Sequence, residues 1–131
     1  MNPMLALRQY QKVNGVAQTS EASPHRLVQM LMQGGLDRIA QAKGAMARND
    51  TAQRGILIGK AIGIVGGLRE GLDLENHGGS LADLDSLYTY MSRRLVEANV
   101  QNDPEILNEV ARLLITVKEG WDAIGDQSAD V

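Results

Sequence analysis

Four stretches of this sequence place apolar residues at alternating steps of three and four, the spacing of one face of an α-helix. The clearest lies late in the chain and consists of Leu107, Val110, Leu114, Val117, Trp121 and Ile124. The stretch before it repeats the spacing with Leu81, Leu84, Tyr88, Met91, Leu95 and Ala98. Four such stripes can be buried together only as packed helices, so the pattern predicts an all-α fold with Trp121 in the core.

The two earlier stretches share this period. One carries Val28, Leu31, Gly35, Ile39, Ala42 and Met46, and the other carries Ile58, Ala61, Ile62, Val65, Leu68 and Leu72. Ser23 and Asp103 each precede a proline, which is the order of an N-cap followed by the first helical position. These pairs predict where the first and last helices begin.

Only short polar breaks separate the four stretches: "RNDT", "NHGGS" and "VQND". Connections this short make consecutive helices antiparallel, so we expect an up-down-up-down four-helix bundle over residues 23–125. Residues 1–22 lack this sustained pattern, and we expect them to form a short, mobile helical arm through Leu7 and Tyr10 followed by a linker without a pattern. We expect residues 126–131 to form a disordered tail.

Composition excludes several classes of function. The net charge is −3 and no dense run of Lys or Arg is present, so nucleic acid is not expected as a partner. The chain has no cysteine, which excludes disulfides and thiolate metal sites. The start "MNPMLALRQY" lacks the basic and apolar regions of a secretory signal, so we expect a cytoplasmic protein.

Candidate catalytic residues are few. His25 falls in the first turn of a helix and His77 in a loop, neither belongs to a Glu-x-x-His pair, and both are expected to be solvated. The serines occupy cap positions, and no nucleophile elbow is present. We therefore expect no enzyme, no cofactor and no metal site, with a phosphotransfer or metal-binding bundle as an alternative.

One of the four stretches also contains a ladder of glycines at strict four-residue intervals: Gly55, Gly59, Gly63, Gly67 and Gly71. Each glycine inside a helix costs about 0.8–1 kcal/mol relative to alanine. A helical wheel turns Gly59, Gly63 and Gly67 outward, away from the aliphatic stripe, so they are expected to contact a partner or keep the helix deformable. Neutral drift is the alternative. The uncharged run over residues 61–68 is too short to span a membrane, so no insertion is expected.

Other apolar or aromatic residues also fall outside the stripes. We therefore predict a long, discontinuous surface that binds another protein chain, formed by Leu7, Tyr10, Ile56, Gly59, Gly63, Ile64, Gly67, Tyr90, Ile106 and Leu113. Ile115 also points outward. An oligomerisation or adaptor module that uses these residues for self-association is the alternative function.

Several motifs occur together in this order: "TSEASPHRLVQMLMQGGL", "GLDLENHGG", "LADLDSLYTYMSRRLVEANVQND" and "EVARLLITVKEGWDAI". With them the chain resembles the FliS family of flagellar export chaperones. The family pattern usually has an aromatic and an acidic residue where this chain has Met32 and Gln33, which bears on groove shape.

The resemblance implies an antiparallel bundle that binds the disordered C-terminal segment of flagellin in the cytoplasm. Such a protein prevents premature polymerisation and presents its client to the flagellar export apparatus. The resemblance also implies that an arm with Leu7 and Tyr10 packs over a hydrophobic groove and moves aside for the client. Formation of a homodimer in the absence of client is a further alternative.

Overall fold

The computed structural model describes residues 23–72 and 81–125, which form four helices. They are α1 (Pro24–Ala47), α2 (Thr51–Glu70), α3 (Leu81–Gln101) and α4 (Pro104–Ile124). α1 packs against α2 and α4, and α3 packs against the same two helices. The predicted all-α four-helix bundle is confirmed, whereas the predicted arm and tail lie outside the described residues.

Polar contacts at the helix ends show that neighbouring helices run antiparallel. Arg54, at the start of α2, donates from Nε to Asn99 Oδ1 near the end of α3 at 2.9 Å. Arg69, at the other end of α2, lies 2.6 Å from Asp85 near the start of α3. α2 and α3 are therefore antiparallel, and the connections of two or three residues before α2 and α4 reverse the chain as well, so the topology is up-down-up-down, as predicted.

Side-chain caps fix the starts of three helices. Ser23 accepts from the backbone N–H of Arg26 at 3.1 Å, and Asp103 accepts from that of Glu105 at 2.9 Å. Both predicted starts are thereby confirmed. Asp50 caps α2 in the same way. Each cap satisfies one otherwise unpaired N–H, a contribution of about 1 kcal/mol.

The connections before α2 and α4 share an Asn-Asp pair. Asn49 and Asn102 adopt positive φ angles of 57° and 52°. Asparagine tolerates this left-handed conformation, which ends the preceding helix, and the next residue is the aspartate that caps the following one. A two-residue signal thus reverses the chain direction twice.

The core is built from the four stripes. Buried members include Leu31, Ile39, Ile58, Ala61, Val65, Tyr88, Met91, Leu95, Leu107 and Leu114. Met32 is also fully buried. Trp121 is 5% exposed, which confirms its predicted place in the core. The stripe residues Val117 and Ile124 are partly buried and pack against the core.

His25 is buried, with 7% exposure, so its prediction as a solvated histidine is wrong. Its ring stacks on Trp121 with 4.7 Å between centroids, and its Nε2 donates to the Trp121 carbonyl at 2.8 Å. Trp121 Nε1–H in turn donates to the His25 carbonyl at 2.9 Å. The Trp121 carbonyl lies in the last turn of α4, and the Gly125 N–H, four residues on, donates to the Asp122 carbonyl instead. His25 therefore supplies the donor for a carbonyl at the end of a helix.

Candidate partner-binding surface

The outer face of α2 is the most open apolar surface at the predicted site. Ile56 is 51% exposed, and Gly59 and Gly63 are exposed beside it. A Cβ built on either glycine would meet no atom within 4 Å. The predicted outward placement of these residues is confirmed, and the strip leaves room for a partner backbone to approach α2 closely.

The glycine ladder does not stay on that face. Gly67 and Gly71 are buried, so the outward placement of Gly67 is wrong. A four-residue step advances about 400° on a helix of 3.6 residues per turn, so the ladder rotates by about 40° at each glycine. It therefore winds from the open face of α2 into the packed side of the bundle.

Ile64 takes part in helix packing. Its Cγ2 lies 3.4 Å from the position of a Cβ on Gly35, where Leu114 Cδ2 lies at 3.1 Å. Ile64 is consequently half-buried between α2 and α1. The absence of a side chain at Gly35 allows this close approach.

Tyr90 links α3 to α4 through a polar cluster. Its hydroxyl donates to Glu109 Oε2 at 2.7 Å, and Arg94 Nε donates to Oε1 of the same carboxylate at 2.7 Å. The Tyr90 hydroxyl and then Arg94 lower the pKa of Glu109, while the bond to Glu109 raises the pKa of Tyr90. Arg93 lies over the Tyr90 ring, 5.2 Å from its centroid.

Two predicted contact residues of α4 turn inward instead. Ile106 is 5% exposed, so its outward placement is wrong, and Leu113 is half-buried against the core. A bundle helix often buries a third position beside the two of the basic stripe. The buried face of α4 is therefore wider than the stripe predicted from the sequence.

Two exposed valines on α3 were not predicted from the sequence. Val96 and Val100 are 50% and 79% exposed, one helical turn apart and outside the buried stripe of α3. Ile115 on α4 is exposed, as expected. The predicted residues therefore lie on several faces rather than one, and Leu7 and Tyr10 lie outside the described residues.

The described ranges, 23–72 and 81–125, contain no cluster of three or more metal-ligating side chains. None of the helices in this part of the chain is long and apolar enough to cross a membrane.

Comparison with known proteins identifies the family. A family model described as "Flagellar protein FliS" matches residues 6–128. The chain belongs to the FliS family. The match takes in Leu7 and Tyr10 as well as the four helices, and it confirms the resemblance seen in the sequence motifs.

Three FliS relatives are similar over most of their length. The flagellar secretion chaperone FliSB of Pseudomonas aeruginosa is 60% identical over 124 residues, 95% of this chain and 98% of that protein. The flagellar secretion chaperone FliS of Vibrio cholerae is 40% identical over 91% of this chain and 88% of its own. The protein of the same name from Salmonella typhimurium is 35% identical over 94% of this chain and 92% of its own.

Proposed function

We propose that this protein is a cytoplasmic flagellar export chaperone. It binds the disordered C-terminal segment of flagellin, prevents premature polymerisation and aids delivery to the flagellar export apparatus. The observation that carries the proposal is the 60% identity, over nearly the whole of both chains, to a protein named as a flagellar secretion chaperone. The proposed role is non-enzymatic.

The open surface of α2 suits such a client. The exposed side chain of Ile56 lies beside Gly59 and Gly63, which have no side chains, so a client helix or extended segment can lie close to the α2 backbone there. A disordered client loses conformational entropy on binding, so it needs a long interface to bind usefully. Val96 and Val100, on α3, offer further exposed apolar side chains to a client long enough to reach them.

Calorimetric titration of the full chain with the C-terminal segment of a flagellin from the same source tests the proposal. We expect one-to-one binding at micromolar concentration with a negative heat-capacity change, the marker of apolar burial. Flagellin lacking this segment is the matched control and should produce no heat. Absence of heat and of co-elution with the intact segment would contradict the proposal.

Self-association is the second candidate function, favoured by the exposed pair Val96 and Val100. A homodimer held by these side chains would dissociate on dilution. Light scattering over a dilution series, repeated with Val100→Ser, distinguishes the two: a chaperone without self-association keeps one mass throughout. Loss of a dimer on adding the client segment would indicate that both use the same surface.

A further inference from the structure

A cleft lies between the second half of α1 and the first two turns of α2. Its volume is about 510 Å³, and it is lined by Ala40, Gln41, Gly44, Arg48, Gln53 and Leu57. Leu57 packs against the core and supplies an apolar floor. Ile56, next along α2, is half-exposed, so the apolar surface continues from the cleft to the open strip of α2.

Arg48 brings a positive charge to the rim of this cleft. Its Nη1 lies 3.1 Å from where a Cβ on Gly44 would be, so the guanidinium folds back over the last turn of α1 in space that Gly44 leaves free. None of the ion pairs found among residues 23–72 and 81–125 involves Arg48. The side chain is exposed and available to a partner's anion.

Asp50, two residues after Arg48, forms no ion pair with it. The Asp50 carboxylate caps α2 through the Gln53 N–H, and no acidic residue occurs in the first turn of that helix. A helix N-terminus itself carries a partial positive charge. The C-terminus of α1, which Arg48 caps, carries the opposite partial charge, so Arg48 itself is the unpaired cation that a partner meets at this end of the cleft.

Resting on the proposed function, we propose that the α1–α2 cleft binds an apolar stretch of the flagellin segment that carries a carboxylate, with Arg48 as its counter-ion. Apolar client side chains lie on Leu57 and Ile56. A neighbouring Asp or Glu of the client accepts charge-assisted hydrogen bonds from the Arg48 guanidinium. The cleft thus selects client segments in which an acidic residue adjoins apolar ones.

Two cleft variants of the full chain test this by calorimetric titration with the C-terminal segment of flagellin from the same source. Arg48→Gln should raise the Kd about three- to ten-fold, the range for a partly exposed charged hydrogen bond. The difference should shrink near 1 M salt, where the Debye length is about 3 Å. Ala40→Trp fills the cleft and should weaken binding at both salt concentrations.

Arg26→Gln is the matched control, because Arg26 is an exposed arginine at the other end of α1, roughly 33 Å along the helix axis from Arg48. It should leave the Kd unchanged. Melting temperatures of all variants show whether the fold is retained.

The outcomes separate this inference from the proposed function. If the unaltered protein, Arg48→Gln and Ala40→Trp all bind the client with the same Kd, the proposal for the cleft is overturned and the proposed function stands. A lower melting temperature for Arg48→Gln with an unchanged Kd also overturns it, since Arg48 would then only stabilise the C-terminal end of α1. No binding by the unaltered protein overturns both.

Discussion

At the scale of single residues, the pair His25 and Trp121 shows what a local pattern can and cannot predict. The buried stripe placed Trp121 in the core from its spacing to Leu114 and Val117, which are near it in the sequence. The partner of the indole is His25, 96 residues away, and no periodicity within one helix relates the two. The sequence therefore predicted burial of the tryptophan but not of the histidine.

Removing the Trp121 ring is expected to cost about 3–5 kcal/mol of unfolding free energy, the usual range for a buried tryptophan replaced by alanine. Trp121→Phe keeps an aromatic ring against His25 but loses the N–H donor, so it should cost less than the alanine variant. Urea denaturation followed by circular dichroism measures both. Exposed Gly120 supplies the control: Gly120→Ala, one residue away, should not destabilise the protein.

The burial itself can be checked in the unaltered protein. Trp121 is the one tryptophan in the chain, so the native fluorescence spectrum reports on it alone. An emission maximum equal to that of free tryptophan in water would contradict the placement of this ring between α1 and α4.

At the scale of helices, type and starting points were predictable because their causes are local. Ser23, Asp103 and the prolines after them act within one turn. The width of a buried face is different, because it depends on which neighbours pack beside the helix. For this reason Ile106 and Gly67 were placed outward although the bundle buries them.

The glycines of α2 now divide into two groups with different expected behaviour. Replacing Gly59 and Gly63 with alanine adds methyl groups in open space and should raise stability by about 0.8–1 kcal/mol each. If a client backbone lies on this strip, the same two methyl groups should weaken flagellin binding. Gly120→Ala in α4, also open, is the matched control and should stabilise the protein without changing client affinity.

Thermal melting and client titration of the double variant Gly59→Ala, Gly63→Ala distinguish a glycine strip that contacts the client from neutral drift. Higher stability with weaker binding is the expected result. Higher stability with unchanged binding would indicate neutral drift toward glycine. Lower stability would contradict the open positions of these residues on α2.

At the scale of the whole molecule, the bundle follows from four buried stripes and three short connections. Neighbouring helices can pair only as antiparallel partners when so few residues join them, so topology was predictable once the helices were. The exposed apolar residues of the proposed partner surface were less predictable, because residues such as Val96 carry no periodic signal. Which faces a client uses depends on the client's own shape and charge.

The last prediction concerns the segment before the bundle. Deleting residues 1–15 should leave the bundle folded with a similar melting temperature, because the four buried stripes all lie within residues 23–125. The family resemblance implies an arm, with Leu7 and Tyr10, that covers a groove and yields to the client. Deletion should then increase the association rate of the flagellin segment in stopped-flow measurements. Lower affinity after deletion would instead place the arm within the client interface.

A double substitution, Leu7→Ser with Tyr10→Ser, retains the length of the chain and should reproduce the effect of the deletion. Unchanged rate, affinity and export in both variants would contradict any role of the arm in client binding.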